Sequence, residues 1–309
     1  MLLSLYSMRI SKKCEIIIIF SYNLMGGIMK KIFEGIGLLS LICFSFFYTS
    51  QIATVIKDND DIYKQINEIK EQYTTKPIDA IIKENTIIPG ISGSEIDVNK
   101  SYKKMKKINS FNDNLLVYKS IKPSISVNEM YDKYIISGNK NKNEVALLFL
   151  LKDGDSVHSI LNILQENEVE ATFFTDGYWF ENNNELVLDI IEEGHNIGNL
   201  GYTYNYNVSG IDWMNSIVKS IGEQKDTYCY NLIDDATALS LCNGNKSYTI
   251  RPNIVVKQNP LIEIKKSLNN GSIISLEVND TTTKELSLIL DYIDSKDLKM
   301  VNIEELIKE

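Results

Sequence analysis

The second half of the chain alternates apolar runs with amphipathic segments, and this alternation constrains the fold more than any other feature. The run 145–151 is apolar at every position, as expected of a strand that is buried on both faces of a sheet. The segments between such runs carry apolar residues at helical spacing, for example Val187, Ile190 and Ile191. Repeated strand–helix units predict an α/β fold with a parallel sheet, either open or closed into a barrel.

The same patterns place the individual elements of this half. They predict strands at 145–151, 169–175, 196–199, 248–256, 272–277 and 300–302. They predict helices at 184–193, 211–221, 234–242, 260–268 and 283–295, and one more that begins near Ser156. Gly194 follows one of these helices, where a C-terminal cap is expected.

The segment 57–143 has a different sequence pattern, because its apolar runs are too short for a large core. Ile62, Ile66 and Ile69 recur at helical spacing, a second short helix is predicted at 101–108, and 115–118 could form a strand. We therefore predict a stalk or small accessory module over 57–143, ahead of a main domain at 144–309.

The N-terminal region resembles a membrane anchor. Lys30 and Lys31 precede a largely apolar stretch, 32–48, which resumes at 52–56. Crossing a hydrocarbon core takes roughly 20 apolar residues, and positive charge before the stretch favours an orientation with the C-terminal part outside. Because no small-residue cleavage site follows, we predict an uncleaved signal anchor, a transmembrane helix, at 29–56. Residues 1–28 are predicted to be an upstream extension.

Charge and cysteine content limit the function classes. The net charge of -9 argues against a nucleic-acid surface, which needs a basic stripe. Four cysteines are present, but none has metal-binding spacing. The sequence predicts buried or free thiols, with a bond between Cys229 and Cys242 as the alternative.

Three sequence blocks carry a family resemblance. They read V-A-L-L-F-L-L-K-D-G-D from Val145, E-A-T-F-F-T-D-G from Glu170, and E-G-H-N-I-G-N-L-G-Y-T-Y from Glu193. Their order and spacing resemble the polysaccharide deacetylase (NodB-homology) family, carbohydrate esterase family 4. The resemblance implies a distorted (β/α) barrel over 144–309. It also implies a site where one Asp and two His hold zinc or another divalent metal, beside a general base and a general acid, for hydrolysing N-acetyl groups on a sugar.

The resemblance does not extend to the metal ligands. Leu200 and Tyr204 stand at the two His positions of the family. An ungapped alignment puts Leu150 and Leu151 at the two Asp positions. An alignment on the following Asp-Gly pair puts Lys152 and Asp153 there instead, which leaves Asp153 as a candidate catalytic or ligating carboxylate. We predict no bound metal or other cofactor, because leucine has no donor atom for a metal.

The remaining family positions are also altered. Glu277 stands where the general-acid His is expected, and a carboxyl could take that role if burial raised its pKa. His195 matches a supporting residue of the family, so we predict a structural role for it. The family's Arg-Pro block most plausibly corresponds to 228–230, with Arg251 as the alternative. A metal site built on both histidines would need His158, which begins a helix.

These observations predict a membrane-anchored, extracytoplasmic deacetylase-like protein without activity, whose groove binds cell-wall glycan. Tyr178, Trp179, Tyr202 and Tyr204 are predicted to offer aromatic faces to sugar rings. One alternative is an active hydrolase of carbohydrate N-acetyl groups, whose atypical site uses Asp153, Asp155, His195 and Glu277. The other is a scaffold that binds another envelope protein.

Overall fold

The computed structural model describes residues 36, 38–47, 54–151, 156–203, 205–221 and 224–309. The chain divides into two units, one of Met1–Gln72 with Ile96–Val117 and one of Tyr73–Glu95 with Tyr118–Glu309. The predicted boundary at 143/144 remains a prediction, although strands on both sides of it belong to one sheet in the second unit.

The smaller unit is built around two short helices, α1 (Asp61–Ile69) and α2 (Val98–Met105). Ile62 and Ile66 of α1 are buried with Ile96 and Met105 in a small apolar core. The helix predicted from the spacing of isoleucines therefore ends at Ile69, and a 3-10 turn over Lys70–Tyr73 follows it.

The predicted anchor lies largely outside the described residues. Residues 36, 38–47 and 54–58 are helical, and their large apolar side chains are exposed, from Ile42 at 50% to Phe46 at 76%. No helix within the described ranges is both long enough and apolar enough to cross a bilayer.

The larger unit contains a predominantly parallel sheet with the order β1-β2-β5-β10-β9-β8-β7-β6-β12-β11, and β13 also pairs with β6. The strands are β1 (Ile81–Lys83), β2 (Thr86–Ile88), β3 (Gly93–Ile96), β4 (Tyr118–Ile121), β5 (Tyr134–Ile135), β6 (Glu144–Leu150), β7 (Thr172–Thr175), β8 (Asn196–Asn199), β9 (Tyr228–Tyr230), β10 (Tyr248–Ile250), β11 (Ile254–Val255), β12 (Ile273–Glu277) and β13 (Lys299–Val301). Strands β3 and β4 form a separate pair.

Helices separate the successive parallel strands. They are α3 (Val157–Glu166), α4 (Gly177–Asn182), α5 (Asn184–Glu192), α6 (Val208–Ile221), α7 (Ala236–Gly244), α8 (Pro260–Ser267), α9 (Asp280–Asp294) and α10 (Ile303–Ile307). The α/β class predicted from the sequence is confirmed, with the sheet curled into a half-barrel.

Strand β6 explains why its sequence is apolar throughout. Val145, Leu147 and Phe149 lie in the core between the sheet and the helices. Ala146 and Leu148 alternate with them and lie in a second core inside the curl, which includes the last helix, α10. Both faces are covered by protein, so neither can carry polar side chains.

Several elements differ from their predicted bounds because polar caps fix their ends. Helix α9 begins three residues earlier than predicted, since the side chain of Asn279 accepts the amides of Thr281 and Thr282. The strand predicted at 248–256 is two strands, because β10 pairs with β9 and β11 pairs with β12. The strand predicted at 115–118 begins only at Tyr118, as β4.

Cys229 and Cys242 form a disulfide that joins β9 to α7, with their Cα atoms 6.4 Å apart. The prediction of two thiols was therefore wrong here, and the alternative pairing is the one observed. Both residues are fully buried, and they pack with Ile211 and with the partly buried Tyr206 and Leu241. A covalent bond between a strand and the next helix removes freedom from the unfolded chain.

We expect reduction of this disulfide to lower the free energy of unfolding by about 3 kcal/mol, the typical effect of closing a loop of this size. Urea unfolding with and without a reductant measures the change. The double variant Cys229→Ala/Cys242→Ala is the control, because the reductant should leave its stability unchanged. An equal response of the parent and the variant would contradict the expectation.

Candidate functional site

A cavity of about 440 Å³ opens at the carboxyl ends of the parallel strands, and we name it the mouth cavity. In open α/β sheets this edge is where ligands usually bind. Its lining combines apolar, aromatic and polar side chains: Leu150, Leu200, Leu232, Ala238, Leu241, Tyr206, Tyr230, Asn205, Asn231, Thr237, Asp235 and Glu277.

The strand register brings three altered family positions together in the mouth cavity. Leu150 ends β6 and lies opposite Glu277, which ends β12. Leu200 follows β8, is 6% exposed, and donates its amide to the carbonyl of Thr175 at 2.9 Å. On the ungapped alignment, two leucines thus occupy positions where the family resemblance requires an Asp and a His.

This lining does not fit a catalytic metal. Such a site needs about three protein ligands with lone pairs, and leucine offers none. Within the described part of the chain, no three His, Cys, Asp or Glu side chains are arranged to hold a metal ion. The candidates Asp153 and Tyr204 lie outside the described residues.

Tyr206 organises one wall of the mouth cavity. Its hydroxyl accepts the amide of Tyr230 at 2.8 Å and shares its own proton between the carbonyls of Asn199 and Tyr230. Burial raises its pKa far above the usual value, so the phenol stays neutral. Tyr206 therefore links the ends of β8 and β9 and presents only its ring to a ligand.

The neighbouring Tyr230 is held in the same way. Its hydroxyl hydrogen-bonds the hydroxyl of Ser275 at 2.8 Å, on β12 across the curl. Burial is the main cause that raises its pKa to about 12. Sequence analysis missed Tyr230 as a wall residue, because it is the curl of the sheet that brings β9 close to β12.

The other predicted aromatic contacts lie elsewhere. Tyr178 is 62% exposed, and its amide donates to the carbonyl of Tyr202 at 3.0 Å. Tyr202 donates its hydroxyl to Glu181 at 2.7 Å. Neither is among the described residues that line the mouth cavity. These two tyrosines form a separate surface pair.

Trp179 does not fit its predicted role as a sugar-stacking residue. It is 7% exposed and lies in the core between the sheet and the helices. Asp176 caps α4 by accepting the amide of Trp179 at 2.7 Å, which turns this side chain inward. Its ring is covered by the protein itself, so it has no free face for a sugar.

His195 lies at the opposite end of the sheet from Glu277. It immediately precedes β8, where its Nδ1 accepts the amide of Ala171 at 3.2 Å. The strands are parallel, so a residue before β8 and a residue at the end of β12 cannot act on one substrate. The alternative hydrolase site that combined His195 with Glu277 is therefore wrong, while its members Asp153 and Asp155 lie outside the described residues.

The remaining candidates, His158 and Arg251, make other contacts. His158 lies on α3 with an exposed side chain, 3.9 Å from Asp189. Arg251 follows β10, and its guanidinium lies 4.8 Å above the ring of Tyr134. Neither residue is found among the described lining of the mouth cavity.

Comparison with known proteins agrees with this geometry. The family model for polysaccharide deacetylase matches residues 137–230, which contain β6 to β9. This part of the chain is similar to a polysaccharide deacetylase domain. The resemblance drawn from the three sequence blocks is thereby confirmed.

Two sequence relatives cover different shares of this chain. The protein YlxY of Bacillus subtilis is 28% identical over 283 residues, which are 83% of this chain and 86% of YlxY. A peptidoglycan-N-acetylglucosamine deacetylase of Bacillus cereus is 38% identical over 94 residues, 28% of this chain and 33% of that protein.

The crystal structure of BA3943, a CE4 family pseudoenzyme from Bacillus anthracis, superposes with a TM-score of 0.62 and 24% identity. The superposition covers 81% of this chain and 96% of the BA3943 chain. This similarity shows that the deacetylase domain has the same fold.

We expect Tyr206→Phe to lower the free energy of unfolding by about 1–3 kcal/mol, because it leaves the buried amide of Tyr230 without an acceptor. Tyr178→Phe is the matched control, since that side chain is exposed, and it should change stability by less than about 0.5 kcal/mol. Urea unfolding of both variants provides the measurement. Equal stabilities would contradict the bridging role of the hydroxyl.

Burial lowers the pKa of His195 to about 4 from 6.5. Between these pH values the unfolded chain binds more protons than the folded chain. The contribution of the neutral, buried His195 to the free energy of unfolding is therefore complete above pH 6.5 and is lost as the pH falls to about 4. The loss is on the order of 3 kcal/mol. We expect His195→Asn, whose Oδ1 can accept the amide of Ala171 but does not titrate, to lose less stability over this range. Parallel pH dependences of unfolding for parent and variant would contradict this.

Proposed function

We propose that this protein is a catalytically inactive, glycan-binding member of the polysaccharide deacetylase family, anchored at the outer face of a cell membrane. The observation that supports the absence of catalytic activity is the lining of the mouth cavity. Leu150 and Leu200 line this cavity, and on the ungapped alignment the family resemblance requires a general base and a metal ligand at their positions. Without a metal-bound water, amide hydrolysis loses its nucleophile and its Lewis acid.

The proposal that the protein binds glycan is supported by the size and chemistry of the mouth cavity. A volume of about 440 Å³ is within the range of small-molecule sites. The rings of Tyr206 and Tyr230 suit the apolar faces of pyranose rings. Asn205, Asn231 and Thr237 on the same lining supply neutral donors and acceptors for sugar hydroxyl and acetamido groups.

The proposed location is supported by two independent features. The helical residues at 36 and 38–47 expose apolar side chains, as a segment in lipid would, and Lys30 and Lys31 precede them. The Cys229–Cys242 disulfide is stable in oxidising compartments and rare in the cytosol. Both features support a location of the deacetylase-like domain outside the membrane.

The test measures binding and hydrolysis of N-acetylglucosamine oligomers by the purified protein in detergent. We expect saturable binding without release of acetate, including after addition of zinc or cobalt. The double variant Asn205→Ala/Asn231→Ala should bind at least about five-fold more weakly, since each lost hydrogen bond contributes about 1 kcal/mol. The control Asn182→Ala removes an amide from α4, outside the described cavity lining, and should bind like the parent.

Three results would contradict the proposal in different ways. Absence of oligomer binding would contradict the proposal that the protein binds glycan. Release of acetate above the background of the heat-unfolded protein would contradict the proposal that it is catalytically inactive. Equal weakening by Asn182→Ala and by the cavity variant would show that the oligomer binds outside the mouth cavity.

A further inference from the structure

The lining of the mouth cavity changes in chemistry from its floor to its rim. Among the described lining residues, Leu200, Tyr230 and Ala238 are buried, and none of them carries a charge. The polar side chains of Asn205 and Thr237 belong to exposed residues of the same lining. The cavity therefore has an apolar floor below a rim that carries polar groups. A ligand that fits it directs an apolar group inward and its polar groups outward.

Two leucines supply the aliphatic part of this floor. Leu150 ends β6, Leu200 follows β8, and both pack against the inner core. Strand β7 lies between these two strands and contributes the fully buried ring of Phe174 to the same core. Neither leucine has an atom that can form a hydrogen bond, so the floor can offer only dispersion contacts and shelter from water.

The tyrosines of the wall do not add a free polar group to the floor. The hydroxyl of Tyr206 bonds the backbone at the ends of β8 and β9, and the hydroxyl of Tyr230 bonds that of Ser275. Burial raises the pKa of both phenols, so both stay neutral. What they present to a ligand is aromatic carbon.

The charges of the lining favour a neutral ligand. The described lining contains no Lys, Arg or His, so an anionic sugar would gain no ion pair there. The carboxylate of Asp235 accepts the amides of Thr237 and Ala238 at the start of α7, which already stabilises its charge. Glu277 is exposed, where water and salt screen its attraction for a cation.

A neutral hexosamine unit has one small apolar appendage that could reach such a floor, the methyl group of an acetamido substituent. We propose that the mouth cavity selects the N-acetylated units of a glycan, with the acetamido methyl group against Leu150 and Leu200. This inference rests on the proposed glycan-binding function and adds that the protein distinguishes acetylated from deacetylated glycan. A deacetylated unit carries an ammonium group instead, and burying that group against leucine is unfavourable.

The test compares three oligomers of equal length by calorimetric titration into the full protein in detergent. They are built from N-acetylglucosamine, N-formylglucosamine or glucosamine and differ only in the substituent on nitrogen. We expect the N-formyl oligomer to bind about four-fold more weakly than the N-acetyl oligomer, because one methyl group fewer is removed from water. The glucosamine oligomer should bind at least about ten-fold more weakly, because it also brings an ammonium group to the apolar floor.

A pair of variants tests whether the floor causes this preference. Leu150→Asn replaces an apolar side chain by a polar one of similar size, so the N-formyl and N-acetyl oligomers should then bind within about two-fold of each other. The matched control Leu188→Asn changes an exposed leucine of α5, outside the described cavity lining, and should keep the ratio of about four. Each ratio compares two ligands on one protein, so it does not depend on the fraction that is folded.

The outcomes separate this inference from the proposed function. Absence of binding by all three oligomers would contradict glycan binding itself, and the inference with it. Equal affinities, or tightest binding of the glucosamine oligomer, would leave glycan binding intact and overturn the selection of N-acetylated units. A ratio that is unchanged in Leu150→Asn would show that the acetamido group binds away from the floor, and would overturn the role of the leucines.

Discussion

The burial of β6 on both faces is the constraint on which the rest of the larger unit depends. The strand pairs with β7, β12 and β13, and its side chains alternate between the two apolar cores. At roughly 25 cal/mol per Å² of buried apolar surface, the burial of this strand stabilises the folded state. It also fixes the position of Leu150 at the edge where a ligand would enter.

The same constraint explains why the fold does not require metal ligands. The fold needs apolar residues along β6 and close contact between Gly198 of β8 and Phe174 of β7, where a Cβ would lie 2.2 Å from the ring. Neither requirement involves a metal ligand. Leucine at positions 150 and 200 adds apolar surface to the inner core, so the fold does not depend on metal ligands at these two positions.

Much of the fold follows from local pattern. The apolar run of β6, the short strand β8 at 196–199 and the helices on the outer face were all predictable, because each has a clear period or a cap signal. Strands β2 and β5 were not, since two or three residues carry no measurable period. The disulfide was left open because cysteine spacing does not reveal which strand lies beside which helix.

The candidate site was predictable in what it lacks and less so in what it contains. Leu200 was identified from one motif, but the wall formed by Tyr206 and Tyr230 depends on hydrogen bonds between neighbouring strands. From the sequence, Trp179 was predicted to be an exposed aromatic residue of a loop. Its burial was missed because the cap at Asp176, which starts α4 there, is seen only in the folded structure. Local sequence records the residue types, whereas their directions come from tertiary contacts.

Leu150 has a consequence for how this lineage could change. An aspartate at that position would sit against Leu200 and Tyr230 with no dication to neutralise it, and it would pay the desolvation cost of a lone carboxylate. A histidine at position 200 alone would gain no partner either. Each of these single substitutions is thus disfavoured by itself, because the described lining of the mouth cavity offers no group that would complete a metal site around it.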